Sequence, residues 1–340
     1  MPFRDALGEI ADVPCRLVAE GQSITTPLVT IAVPTFQRLE FLIQALRSVL
    51  AQRFHRPFEI LVLDDDPASD VAPQLLERLP ELRDRDFRYL VNERNLGLYP
   101  NHNRGIALAR GEWIAFLNDD DLLEPHFLQA AFAVVDENPR VEAVMPRKII
   151  FDERAGAFPP EAGRTAAWRM AKRILLESNF LGRAARPISA GKFFWGAVLG
   201  GSGGCLFRTG HLREIGGFYP EEHPASDLWL MARYAKLHGL HHARAETIRI
   251  RIAQNESAKL PTVKKGLYWG HKLQTSLIGT EVPRWYRHIL PLLIAQHRAE
   301  FRDFWRAEVP VAELEKLLGM RIPRERRVLI RAVQTALRGF

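Results

Sequence analysis

Gly111-Glu112-Trp113-Ile114-Ala115-Phe116-Leu117-Asn118-Asp119-Asp120-Asp121 is a short apolar run that opens on a helix-stopping glycine and ends in turn-forming Asn and Asp. That pattern predicts a buried strand whose C-terminal end opens into a loop. Three consecutive carboxylates at that end repel one another unless positive charge offsets them, so the cluster invites a divalent cation. An isolated Asp triplet is more often a solvated turn capping the next helix. Its place after a buried strand shifts the balance toward a site.

Upstream, the β-branched run Val29 to Val33 predicts a first strand over 28–33, closed by Pro34. Phe41, Leu42, Ala45, Leu46, Val49 and Leu50 then follow helical spacing, and a second strand over 59–63 stops at Asp64-Asp65-Asp66-Pro67. A helix over 71–82, a strand over 87–91, a loop over 92–97 and a helix over 101–109 lead to the strand over 113–117. This alternation predicts an α/β domain with a mostly parallel sheet flanked by helices. Open parallel sheets bind ligands at the carboxyl ends of their strands, so the acidic loops after Leu63 and Leu117 are expected to share one crevice.

Downstream, helical spacing returns over 127–135, and a short strand is expected over 143–145. Between 151 and 200 the pattern is weak, with a helix expected over 165–179. Gly200-Gly201-Ser202-Gly203-Gly204 is flexible but lacks the Lys-Ser or Lys-Thr ending of a phosphate-binding loop. A strand over 205–207 precedes a short helix capped by Thr209 and stopped by Gly216-Gly217. Asp227 stands at the start of a helix whose apolar residues are Leu228, Leu230, Met231, Tyr234 and Leu237. A carboxylate there either favours the positive helix end or is held rigidly for chemistry. A strand over 248–252 follows. From Pro261 onward only amphipathic basic helices are expected, with Trp269, Trp285, Tyr286, Phe301 and Trp305 interleaved. Packing outweighs membrane contact as their expected role. The expected division is an arm over 1–27, a main domain over 28–257 and a helical C-terminal region over 258–340.

The 340 residues suffice for a full core, and the composition is that of an ordinary globular protein. No run is apolar enough to span a bilayer, and the N-terminus lacks signal-peptide order, so a cytoplasmic protein is expected, with room for peripheral contact on the inner membrane face. Cys15 and Cys205 are too few for a disulfide framework. The net charge of +7 is concentrated late, in Lys264, Lys265, Arg284, Arg287, Arg321, Arg324, Arg326, Arg327, Arg331 and Arg338, away from the acidic cluster. That asymmetry argues against a nucleic-acid binder. No glycine fingerprint follows the first strand, which argues against a dinucleotide oxidoreductase.

Taken in order, Pro34-Thr35-Phe36-Gln37-Arg38, Leu63-Asp64-Asp65, Asn95-Leu96-Gly97, Asn103-Arg104-Gly105-Ile106-Ala107 and the opening stretch resemble the family 2 glycosyltransferases, inverting enzymes of GT-A fold that use nucleotide-sugar donors. The similarity extends over about 28–257, through Gly216-Gly217-Phe218 and Asp227-Leu228. It implies a Rossmann-like nucleotide-sugar-binding sheet with a C-terminal helical extension. Pro34, Thr35 and Phe36 are implied to line the base, Asp65 to accept a hydrogen bond from it, and Asn95 and Asn103 to lie on the donor side. The family's DXD motif falls on Asn118 to Asp121, with Asp120 the implied ligand of Mn²⁺ or Mg²⁺ and Asp119 its support on the donor side. Asp227 matches the general base.

Three departures stand out. Asn118 replaces a common Asp, Ser226 replaces a common Glu, and Ala253 stands where relatives often have a His that can reach the metal or diphosphate. Arg249, Arg251 or Lys259 are the cations nearby in sequence that would neutralise phosphates instead. Trp195, Phe218, Tyr219 and Trp229 are the aromatic candidates for an acceptor side. The expected function is metal-dependent, inverting transfer of a sugar from a nucleoside diphosphate to a hydroxyl of a glycan or lipid-linked acceptor in surface polysaccharide biosynthesis. The alternative is a catalytically impaired nucleotide-sugar-binding or scaffold protein of the same fold.

Overall fold

The computed structural model describes residues 4–23, 26–152, 183–196, 201–252 and 259–323. The helix expected over 165–179, Gly200, Ala253 and the basic residues from Arg324 onward lie outside the described residues.

Among the described residues ten strands form one sheet: β1 (Cys15–Glu20), β2 (Val29–Thr35), β3 (Phe58–Asp64), β4 (Phe87–Asn92), β5 (Trp113–Phe116), β6 (Leu122–Leu123), β7 (Ala143–Asp152), β8 (Ala185–Ile188), β9 (Leu206–Arg208) and β10 (Leu240–Ile252). Their order is β1-β4-β3-β2-β5-β9-β7-β10-β6, with β8 also paired to β10. The central run β4-β3-β2-β5 is parallel, as is the β7–β10 pair, while β9 joins the two parts antiparallel to both. The helices are α1 (Leu39–Leu50), α2 (Val71–Arg78), α3 (Leu98–Leu108), α4 (Phe127–Glu137), α5 (Thr209–Glu214), α6 (Ser226–Leu237), α7 (Leu260–Leu277), α8 (Leu290–Trp305) and α9 (Val311–Leu318).

Every residue of β2 is buried, because crossover helices cover both faces of a parallel sheet. Its alternation sorts the two cores. Val29, Ile31 and Val33 pack with Leu42, Leu46 and Leu75 of α1 and α2, together with Phe127 and Leu128 of α4. Ala32 faces the opposite layer with Leu61, Leu63, Phe116 and Ile106. Val263, Leu267, Leu293 and Ile294 of the C-terminal helices join this same second cluster. No helix among the described residues is long and apolar enough to cross a membrane.

The structure departs from the sequence reading at several element ends. β2 runs through Pro34, which sits opposite Leu63, and the β5 ladder on its other edge has already ended at Ala32, so no partner there needs a proline N–H. α2 stops before Pro80, and the stretch Pro80–Asp84 is a 3₁₀ turn. α3 begins at Leu98, a turn early, with Pro100 tolerated in its first turn. β7 and β10 are longer than expected, because charged residues and the register shifts between His242 and Ile248 hide the apolar alternation. Thr209 is not a cap: it is the first residue of α5, and its hydroxyl donates to Gly111 O at 2.7 Å. The segment before Pro27 is more than a surface arm. It supplies β1 as an edge strand on β4, and buried Arg104 ties it down by donating to the carbonyls of Ile10 (3.1 Å) and Val13 (2.5 Å).

Candidate active site

The loops that leave β2, β3 and β5 meet at the carboxyl edge of the sheet. After β2, Gln37 takes a left-handed backbone (φ 55°), which turns the chain at the start of α1 and brings Arg38 over the acidic loop. Arg38 Nη1 lies 3.0 Å from Asp120 Oδ2 and 3.4 Å from Asp119 Oδ1. Thr35 at the end of β2 donates its hydroxyl to Asp119 Oδ2 at 2.8 Å, and its carbonyl accepts from the Asp65 amide at 3.0 Å. The two acidic loops therefore share the crevice, joined through Thr35.

Within the triplet, environment assigns different tasks. Asp121 is buried, with Oδ1 accepting from the Arg251 amide (2.9 Å) and Oδ2 from Asn118 Nδ2 (2.9 Å), so it braces the loop. Asp119 is also buried, and burial together with the Asp120 charge pushes its carboxyl up to about 6 against the opposing Thr35 hydroxyl and Arg38. Asp120 is half-buried and faces Arg38. Two adjacent carboxylates with one partly exposed guanidinium leave negative charge over, and their hard oxygen donors suit a Mg²⁺ or Mn²⁺ ion. Asp120 with Asp119 would hold such an ion.

Asp65 accepts from the amides of Leu96 (2.8 Å) and Gly97 (2.7 Å) and from Asn92 Nδ2 (2.9 Å). Burial raises its carboxyl while these donors oppose the rise. Phe36 presents an apolar ring 43% exposed beside this loop pair. Pro34 is buried within β2, and Asn95 is exposed in the loop whose neighbouring amides hold Asp65.

Asp227 lies in the first turn of α6, accepting from the Leu228 amide at 2.8 Å. Burial raises its carboxyl, and the Lys148 ammonium acts against that rise. The glycine-rich turn connects this residue to the triplet. A Cβ on Gly201 would sit 2.1 Å from Asp227 Oδ2, and one on Gly203 would sit 3.5 Å from Asn118 Nδ2 and 3.7 Å from Asp121 Oδ2. Lys148, on β7, donates to Gly201 O, and its charge also acts on Asp121. A side chain at Gly201 would collide with Asp227, whereas a Cβ at Gly203 would only touch Asn118 and Asp121.

Several expected site residues are placed elsewhere. Asn103 is fully buried: its Oδ1 accepts from the Phe218 amide and its Nδ2 donates to Phe218 O, both at 2.8 Å, so it holds the 218 turn rather than a donor. Phe218 is a core ring stacked on Tyr99 at 5.5 Å, and Trp195 packs against Phe194 and Tyr286. Tyr219 lies under Arg233, 3.8 Å from its guanidinium carbon. Trp229 remains half-exposed, its indole donating to Trp269 O at 3.2 Å. Of the cations near Ala253, Arg249 pairs with Glu124, and Arg251 is buried between Phe41 and Phe151 while donating to Asp120 O at 2.7 Å. Both are spent on scaffold, and Lys259 is exposed at the head of α7. The residues that went unread are Arg38, present in the first motif without a role, and Lys148, a lone lysine in a strand that no local pattern singles out.

The profile of the glycosyl transferase family 2 matches residues 30–199, half of the chain. The chain belongs to this family. Among curated proteins, this family 2 member is 35% identical over 107 residues to the putative colanic acid biosynthesis glycosyl transferase WcaA of Escherichia coli, covering 32% of this chain and 37% of that one. It is 27% identical over 139 residues to an uncharacterized glycosyltransferase of Methanocaldococcus jannaschii, covering 40% and 47%. The match thus spans less than half the length of either relative. Among solved structures, residues 1–349 of S. aureus TarS in complex with UDP-GlcNAc superpose with a TM-score of 0.59 at 16% identity, covering 86% of this chain and 78% of that one. The likeness shows that this family 2 protein shares the GT-A architecture: a central, mostly parallel sheet flanked by helices.

Proposed function

We propose that the protein is an inverting, divalent-metal-dependent glycosyltransferase that moves a sugar from a nucleoside diphosphate to a hydroxyl of a glycan or lipid-linked acceptor. The observation that carries this reading is the meeting of the Asp119–Asp120 loop and Asp227 across one glycine turn. In the proposed unit over 28–257, Phe36 forms the wall of the base site, and Asp65 offers the acceptor edge, oriented by Asn92, Leu96 and Gly97. Asp119 and Asp120 would hold Mn²⁺ or Mg²⁺, which would supply positive charge to the departing diphosphate. Arg38 adds fixed positive charge at the same place.

Asp227 is the base. Its raised carboxyl is better matched to a hydroxyl proton near neutral pH than an ordinary aspartate. It takes that proton as the acceptor oxygen bonds to the anomeric carbon. The bond from that carbon to the phosphate oxygen breaks on the opposite side, which inverts the centre. Uridine donors are the first to test, because TarS, which shares the fold, was solved with UDP-GlcNAc and with UDP. A surface-polysaccharide role is the corresponding reading of the likeness to WcaA. Peripheral membrane contact is proposed for the 3₁₀ turn Arg284–His288, where Arg284, Trp285 and Arg287 are exposed, and flotation with anionic vesicles tests it.

The deciding experiment measures release of nucleoside diphosphate from UDP-sugars with Mn²⁺ and the anomeric configuration of the product. Turnover that is lost in Asp227→Asn and Asp120→Ala, with both variants folded, supports the proposal. Full activity in both variants refutes it, and donor binding without any turnover or hydrolysis favours the impaired-binding alternative.

A further inference from the structure

At the far end of α6 from Asp227, three side chains with metal-ligand chemistry converge. His211 and Glu214 lie one turn apart on α5, and His238 directly follows the last residue of α6. One ligand atom from each lies within 4.8 Å of the other two. We propose that His211, Glu214 and His238 bind one transition-metal dication of the zinc type and thereby clamp α5 to the C-terminal end of α6.

The contacts of each ring indicate which nitrogen can serve as a ligand. Tyr234 directs its phenolic hydrogen to Glu142 O at 2.6 Å, so His211 Nδ1, 3.3 Å from the Tyr234 oxygen, must be the donor in that contact. In the neutral ring this arrangement puts the lone pair on Nε2, and Glu142 Oε2, 3.8 Å from Nδ1, favours the same tautomer. His238 Nε2 is buried with no hydrogen-bond partner and lies 3.7 Å from Glu214 Oε2. The two rings stack at 3.9 Å and 9°, which holds both imidazoles at the junction of α5 and α6.

Two imidazole nitrogens and one carboxylate, with a fourth position left to water, form a familiar zinc donor set. Convergence of both lone pairs on one ion requires the rings to tilt out of the stack. Glu214 is exposed and His211 borders a concavity of about 600 Å³, so the site is open to solvent; of the guanidiniums lining it, Arg110 and Arg208 are paired with carboxylates, and Arg213 donates to the carbonyls of Ile106 and Ala109. This set is borderline-soft, unlike the all-oxygen triplet at the candidate active site, and the two sites should therefore prefer different ions.

The test uses the full chain, stripped with chelator and kept in excess Mg²⁺. It is titrated with zinc chloride against a chromophoric chelator and, separately, with Co²⁺ by visible absorption. The expected result is one zinc equivalent and visible Co²⁺ bands in the wild type. Glu214→Gln and His238→Asn should each weaken zinc at least about tenfold, and Asp120→Ala should leave this binding unchanged. Glu214 is exposed, so Glu214→Gln should keep the wild-type circular dichroism and melting temperature, which separates loss of a ligand from loss of the fold. Equal zinc affinity in wild type and Glu214→Gln, or no zinc equivalent in the wild type, overturns the proposal.

Discussion

Thr35→Val isolates the one side-chain hydroxyl that supports the buried carboxylate of the proposed metal pair. Asp119 is raised from 3.8 to about 6 in the folded chain, so keeping it ionised there costs about 3 kcal/mol relative to an ordinary aspartate. The Thr35 hydroxyl, 2.8 Å from Oδ2, works against that cost. A hydrogen bond to a charged group contributes about 1.5–3 kcal/mol, or about one to two pKa units. Valine fills the same space without the donor and should move Asp119 from about 6 to about 7–8.

Because a metal ion takes the ionised form, Mn²⁺ affinity should rise about tenfold per pH unit below the midpoint and level off above it. The sign for stability is opposite. The folded pKa lies above the unfolded one, so this group's contribution to stability is complete below about pH 4 and is lost as pH rises through about 6. In the variant that loss should continue to higher pH. Calorimetric Mn²⁺ titrations at half-unit pH steps, paired with urea unfolding, measure both effects. An unchanged midpoint of the Mn²⁺ profile in a folded Thr35→Val protein would refute the reasoning, since Asp119 would then not be the group that metal binding deprotonates.

Gly201→Ala should abolish turnover with the fold retained, because the new Cβ would stand 2.1 Å from Asp227 Oδ2; circular dichroism and initial rates distinguish this from unfolding. Lys148→Met removes a charge that holds Asp227 down, so the acid limb of the pH profile of kcat/KM should move up by about one unit. Phe36→Ala should weaken nucleotide binding about tenfold or more and raise KM for the donor, with kcat nearly unchanged, because the ring is 43% exposed and not part of the core.

The sheet was legible because buried parallel strands are written as contiguous apolar runs: Val29 to Val33, Glu59 to Leu63 and Trp113 to Leu117 all lie within strands or extend one by a single residue. β10 was cut short in the reading because His241, His242, Arg244 and Glu246 break its pattern, and β1 was missed because an edge strand is only partly buried. Of the proposed site, the carboxylates Asp65, Asp119, Asp120 and Asp227 are legible as residues that follow strands or begin a helix. Their cations were not. Lys148 reaches Gly201 across the sheet, and a contact spanning 53 positions leaves no local trace. Asn103 misled for a related reason: a buried amide that closes on the Phe218 backbone looks, in sequence, like any polar residue set beside a motif.

Asn118 is the departure whose meaning changes most in three dimensions. Its Nδ2 faces Asp121 Oδ2 at 2.9 Å, so an aspartate in the same rotamer would set a half-buried carboxylate against the buried one of Asp121 with no donor between them. Burial and the Asp120 charge already push Asp121 up, and its opposing groups are the Arg251 amide, Asn118 and Lys148. An additional negative charge would compete for the same Lys148 that moderates Asp227. The amide instead turns a repulsion into a hydrogen bond and leaves Lys148 available to both sides of the glycine turn. Asn118 is therefore what this loop requires once Asp121 is committed to bracing it, and it removes no carboxylate from the Asp119–Asp120 pair.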